Sequence, residues 1–207
     1  MTAQLKLAEI ISARLCHDMA GPVGTLSASL EMVADGSADG EEALEIAHEA
    51  AKGMLSRLRF IRAAWAVDGA ELDAQTILNY CTALPQARKI AFQADQLEGF
   101  LCAPMSRGVL NLAMLGIESL PRGGKLSLAG NKDDGVMMTI SGAHAAWPSG
   151  FAALMVDADA AWEALHDSRT LQAPLTVLIA QQSGLKLRFL MAGQDSSTPP
   201  PMHLCKA

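Results

Sequence analysis

His17 is followed directly by Asp18, and Gly21 and Pro22 come four and five residues after the histidine, in the stretch RLCHDMAGP. A neutral imidazole carries one unprotonated nitrogen, which is a competent nucleophile. A carboxylate beside it can orient the ring or accept its N–H proton. Glycine and proline are the poorest helix formers, costing about 1 and about 3 kcal/mol in a helix interior. Proline has no N–H, so the carbonyl of Asp18 loses its helical partner, and a kink is expected one turn past His17. Gly21 removes side-chain bulk from the same turn, which lets a partner approach closely.

The surrounding residues must present this group. Leu7, Ile11, Leu15, Met19, Pro22, Leu26, Leu30 and Val33 follow steps of three and four, a helical period over residues 5 to 34. On a helical wheel His17 lies nearly opposite that stripe and projects into water. Turn residues interrupt at ADGSADGEE, where Asp39 or Gly40 is placed to cap the next helix and Glu41 and Glu42 suit its first turn. A second seam follows: Leu44, Ala47, Ala51, Met54, Leu58, Ile61 and Trp65. Two such helices make an antiparallel hairpin that cannot bury both seams alone. Dimerisation into a four-helix bundle is the economical solution, and packing on the rest of the same chain is the alternative.

After VDGAELD the character of the chain changes. ELDAQTILNYCTAL reads as a helix, KIAFQA as a short strand and APMSRGVLNLAMLGIESLP as a helix with a proline stop. GGKLSLAGNKDDGVMMTISG reads as a hairpin, DADAAWEALHDS and APLTVLIAQQSG as helices, and LKLRFLMAG as the closing strand. The expected organisation is a helical hairpin over residues 1–68, an α/β domain over 69–195 and a flexible Pro-rich tail over 196–207.

Composition narrows the function. Half of the 207 residues are hydrophobic, only 4% are aromatic, and the net charge is −6. An acidic chain argues against general nucleic-acid binding. No apolar run reaches the roughly 20 residues that span a bilayer, and the N-terminus lacks a secretion signal. Cys16, Cys81, Cys102 and Cys205 are scattered, without metal-site or disulfide spacing. A reduced, cytoplasmic protein is expected. His48 and His166 read as ordinary helix residues, and His203 with Cys205 lacks the partners a metal site needs.

His17-Asp18-x-x-Gly21-Pro22 resembles the H-box of sensor histidine kinases: a phosphoacceptor histidine, an adjacent acid and a proline five residues on. More closely, ARLCHDMAGPVG at the start of a hairpin resembles the ChpT-like histidine phosphotransferases, and the likeness extends over most of the chain. The resemblance implies an α+β fold: a hairpin that dimerises into a four-helix bundle, followed by a degenerate histidine-kinase-type (Bergerat-like) α/β sandwich. It also implies a phosphorelay protein that shuttles a phosphoryl group between receiver-domain aspartates. Its partners would be response-regulator receiver domains and a hybrid histidine kinase. No cofactor would be bound stably, because the partner receiver supplies the Mg2+.

Three elements of a kinase nucleotide site are missing from this sequence. Asn111 stands where the metal-binding helix begins its NLLxNA pattern, but Leu115 replaces the second asparagine and offers no lone pair to a hard cation. AHAAWPSG lacks the Asp and glycines of an adenine-binding DxGxG, and no glycine run precedes APLTVLIAQQSG. His17 and Asp18 are therefore the expected catalytic pair. Arg14, Cys16, Ala20, Gly21, Val23 and Gly24, with Leu55 and Arg59 across the hairpin, are the expected docking surface. Arg14 is placed either to attract phosphate or to serve as a solvated charge. Arg57, Arg59 and Arg62 either meet a receiver's acidic cluster or complement the helix dipole. Two other readings stay open: a non-catalytic dimeric scaffold or kinase inhibitor, and an active histidine kinase.

Overall fold

A computed structural model describes residues 2–36, 39–190 and 198–207. Helix α1 (Ala3–Ala34) starts where the Thr2 side chain accepts from the Leu5 N–H, and it runs through Pro22 without interruption. Helix α2 (Gly40–Trp65) returns antiparallel beside it, with Glu41 and Glu42 in its first turn as expected. Asp39 stands at its N-cap position, where its carbonyl accepts from Ala43 N–H. Ser37 and Ala38 of the intervening turn lie outside the described residues.

The rest of the chain packs helices against a mixed sheet. Helix α3 (Ala74–Thr82) leads into β1 (Ile90–Leu97), then α4 (Ala103–Glu118), and a hairpin of β2 (Gly124–Asn131) and β3 (Gly135–Ser141). Short helices α5 (Phe151–Val156) and α6 (Ala158–Glu163) precede α7 (Gln172–Gln182), β4 (Leu185–Phe189) and β5 (Met202–Lys206). The strand order is β1-β2-β3-β5-β4; β1 runs parallel to β2, and the other pairings are antiparallel. The fold is α+β, with an N-terminal helical hairpin and a five-stranded sheet.

Helix α4 is the hub. It touches α2, α3, α7 and four of the five strands, and nearly every residue from Met105 to Ile117 is buried. Its two glycines permit that approach: a Cβ on Gly108 would lie 2.8 Å from Leu204 Cδ2, and one on Gly116 would lie 2.8 Å from Leu126 Cδ1.

One sequence expectation is corrected here. Residues 196–207 are not a flexible tail along their length, because Met202–Lys206 forms β5 between β3 and β4, with Met202 and Leu204 buried. The sheet therefore closes on β5, and LKLRF is its edge. Residues 196 and 197, and the LMAG residues 191–193 of the expected closing strand, lie outside the described residues. The hairpin seams divide between two surfaces. Near its N-terminus α1 packs Ile10, with Leu7 and Ile11 beside it, onto Leu165, Leu171, Leu175 and Ile179, and the end of α2 sinks Phe60 and Ala64 into the main core. The buried line of α2 follows Ala43, Ala47, Phe60 and Ala64, which shares Ala47 with the expected seam. Leu44, Leu55 and Leu58 stay about half exposed, at 55%, 48% and 46%.

Candidate functional site

His17 stands in the middle of α1 with 75% of its side chain exposed, whereas the adjacent Asp18 side chain is only 14% exposed. The two touch: His17 Nδ1 lies 3.4 Å from Asp18 Oδ1. An ionised carboxylate only accepts, so this contact needs the proton on Nδ1, which leaves the lone pair on Nε2. The exposed ring thus has its outer nitrogen available as a nucleophile.

Asp18 is anchored by two guanidinium groups. Arg14 Nε donates to Asp18 Oδ2 at 2.9 Å from one helical turn below. Arg57 Nη1, from α2, lies 3.4 Å from the same Oδ2 and donates to the Asp18 carbonyl oxygen at 3.3 Å. Arg14 also reaches the C-terminal half of the chain. Its Nη2 pairs with Glu118 Oε1 at 2.6 Å, at the end of α4, and its Nη1 donates to the Ser168 carbonyl at 3.1 Å. Two cations and two anions from α1, α2 and α4 therefore form one neutral cluster behind His17.

Titration follows from this packing. Burial works against the Arg14 cation, but the Glu118 charge and the hydrogen bonds to Asp18 and Glu118 outweigh it and raise the pKa. Burial lowers the pKa of Arg57, and the nearby Arg14 charge adds to this against the pull of Asp18. Burial raises the pKa of Glu118, and Arg14 offsets that rise without cancelling it. Charges this poorly hydrated are retained only where their partners are in place.

The expected docking residues Cys16, Ala20, Gly21, Val23 and Gly24 are all exposed on α1 around His17, and Arg59 is exposed on α2. Leu55 is exposed too, but it falls on the same line of α2 as Leu44, Ala51 and Leu58. Arg14 departs from both roles expected for it. All three guanidinium nitrogens are spent within the chain, because Asp18, Glu118 and Ser168 surround it. Arg57 departs similarly: its side chain is 15% exposed and turned onto Asp18, while Arg59 and Arg62 remain in solvent. Sequence reasoning missed Glu118 and Ser168, which lie more than 100 residues from Arg14 and carry no local signal. Arg57 had one, since it falls on the buried line of α2, where an arginine needs a partner.

His17, Asp18 and Arg14 line a cleft of about 840 Å³, whose other walls carry Leu115 and Glu118 of α4, Ala146, residues 148–150 and residues 168–170. Leu115 is buried there. Asn111, the one retained asparagine of the kinase pattern, is fully buried and gives its amide N–H groups to the carbonyls of Ala64 (2.6 Å) and Arg107 (2.9 Å). Its Oδ1 faces Gln172 Nε2 at 3.4 Å, so it serves as a brace between α2, α4 and α7. Among the described residues no group of three His, Cys, Asp or Glu side chains is arranged to hold a metal ion. His203 belongs to β5, where it accepts from Arg188 Nε at 3.1 Å and approaches the Asp134 carbonyl at 3.0 Å.

Comparison with known proteins places the chain in a family. Residues 75–195 match the histidine phosphotransferase C-terminal domain family, more than half of the chain. The chain is 27% identical over 197 residues to the protein phosphotransferase ChpT of Brucella abortus (strain 2308), covering 92% of this chain and 93% of that one. Its fold matches the solved structure of a bacterial phosphotransferase with a TM-score of 0.75 at 23% identity, over 99% of this chain and 98% of the other. With its exposed histidine on a helical hairpin and its matching C-terminal half, the chain belongs to the histidine phosphotransferase family.

Proposed function

We propose that this phosphotransferase carries a phosphoryl group on His17 between the aspartates of receiver domains, in a two-component phosphorelay fed by a hybrid histidine kinase. The observation that carries the reading is the asymmetry of the His17–Asp18 pair: a ring held at Nδ1 by a fixed carboxylate and open to solvent at Nε2. In the first transfer, the Nε2 lone pair attacks the phosphorus of a receiver's aspartyl phosphate. The N–P bond forms as the acyl P–O bond breaks, and that electron pair returns to the receiver's carboxylate. The positive charge this leaves on the ring, with its Nδ1 proton, faces Asp18. The reverse sequence delivers the phosphoryl group to a second receiver. Each receiver brings its own Mg2+, and the relay protein supplies orientation and a docking face. Cys16, Ala20, Gly21, Val23 and Gly24 form the near part of that face.

The same reading holds that the chain does no chemistry on ATP. Supporting it are the apolar Leu115 wall of the cleft and an Asn111 amide already committed to backbone carbonyls. It also holds that the protein works as a homodimer with a four-helix bundle. In support, Leu44, Leu55 and Leu58 line one side of α2, with Leu30 of α1 also exposed. That is a larger run of apolar side chains than a helix surface ordinarily leaves in water.

The test is transfer of radiolabelled phosphoryl from a phosphorylated receiver domain, in Mg2+, to the protein and to His17→Gln. Label on the wild type alone, in a bond labile to acid and stable to base, supports the reading. Equal labelling of both proteins would remove His17 from the chemistry.

A further inference from the structure

Pro22 leaves the carbonyl oxygen of Asp18 without an intrahelical donor, and α2 supplies one. Arg57 Nη1 lies 3.3 Å from that oxygen and 3.4 Å from Asp18 Oδ2. Arg14 takes the same Oδ2 from the other side, at 2.9 Å. Both guanidinium groups therefore hold one carboxylate oxygen, and the other, Oδ1, is left for His17 Nδ1. An arginine turned into the hairpin loses hydration, and burial does lower its pKa. It is held there by the two Asp18 oxygens alone among its described hydrogen bonds and ion pairs. Proline and arginine thus form one device: the first opens a backbone acceptor one turn from the histidine, and the second uses it to lock the neighbouring carboxylate.

We propose that Arg57 is a positioning residue for phosphotransfer, holding Asp18 through the carbonyl that Pro22 frees and through Oδ2, so that Oδ1 stays on His17 Nδ1 and Nε2 stays the nucleophile. The proposal rests on the reading of His17 as the phosphoacceptor. Arg14 shares the grip on Oδ2 but is itself tied to Glu118 and Ser168, whereas the described hydrogen bond and ion pair of Arg57 both go to Asp18. No described hydrogen bond or ion pair joins Arg57 to the His17 ring, so its influence passes through Asp18.

The experiment combines nitrogen-15 NMR of the His17 ring in the full-length protein with the rate of phosphoryl uptake from a phosphorylated receiver. In the wild type the neutral ring carries its proton on Nδ1. In Arg57→Gln the ring populates the Nε2–H form, and uptake falls by up to about 10²-fold, the scale expected for a misplaced reacting group. Circular dichroism melting confirms that the variant is folded. If it is not, Arg57→Met, which keeps the apolar stem, is measured in its place. Adding Pro22→Ala to either background returns an N–H to the Asp18 carbonyl and supports the helix without restoring the grip on Oδ2. A folded variant with the wild-type tautomer and the wild-type uptake rate overturns the proposal while leaving His17 as phosphoacceptor. A wild-type protein that takes no label overturns the phosphoacceptor reading, and the proposal with it.

Discussion

His17 and Asp18 are neighbours in sequence but occupy different surroundings. The ring is in water, and the carboxylate lies among arginines from two helices. That difference allows one residue to meet a partner while the other stays fixed. The proposed docking face carries two glycines. Gly21 precedes Pro22, and a helical residue before proline is crowded at its Cβ, so glycine has a local reason to be there. Gly24 has no such reason: a Cβ added to it would meet nothing within 4 Å. Gly24→Ala should therefore raise helix stability, by up to about 1 kcal/mol, yet slow transfer from a receiver that docks on this face. Thermal melts and transfer rates on one preparation check both halves. A variant that is more stable and equally fast would place docking elsewhere. At this scale the exposure of the His17 ring and the carboxylate beside it were legible from residue order and helical period. The charge cluster was not, because Arg14, Arg57, Glu118 and Ser168 come together only through tertiary contacts between α1, α2, α4 and the segment before α7.

The elements show which local signals survive packing. Helix α3 begins at Asp73, whose Oδ1 accepts from the Thr76 N–H at 2.8 Å. Hydrogen bonds from Thr76, side chain first and backbone second, lower the Asp73 pKa below its ordinary 3.8. A depressed carboxylate stabilises the fold above the unfolded-state pKa, and that contribution is lost as pH falls through the folded-state value. Asp73→Ala should melt at a lower temperature than the wild type at neutral pH, and the gap should close as pH drops below 3.8; melts across that range check the sign. Helix α4 makes the opposite case to Gly24. Gly116→Ala would drive a methyl to 2.8 Å from Leu126 Cδ1 and 3.1 Å from Met138 Sδ. The expected cost is about 1–3 kcal/mol, measurable by urea unfolding, despite the better helix propensity of alanine. Helices α3, α4 and α7 and the β2–β3 hairpin were all readable from periodicity and turn residues. Strand β5 was not. Met202 and Leu204 alternate as a strand should, but five residues after STPPP give too short a signal, and its place between β3 and β4 depends on partners remote in sequence.

At the scale of the whole molecule, the helical hairpin is not an independent rod. Its base is built into the C-terminal half through Phe60, Ala64 and Ile10, and the Arg14–Glu118 pair ties the level of His17 to the end of α4. The upper part keeps its own apolar side free. The sequence showed two helical seams but not how each would be used, because a heptad pattern does not say which partner covers it. In the proposed dimer, Leu44 and Leu58 face the second copy. Replacing both with glutamate should yield a folded monomer by sedimentation velocity, since neither side chain is buried within the chain. An unchanged mass would show that another surface makes the assembly, or that the wild type is itself monomeric.

The central claim is that His17 carries the phosphoryl group, and mass spectrometry on the labelled protein tests it most directly. Trypsin releases residues 15–52 as one peptide, with cleavage after Arg14 and Lys52, and it holds both His17 and His48. After transfer from a receiver domain, and with acid avoided throughout, fragmentation of this peptide should place the phosphoryl group on His17. Finding it on His48, or on any peptide outside 15–52, would contradict the account.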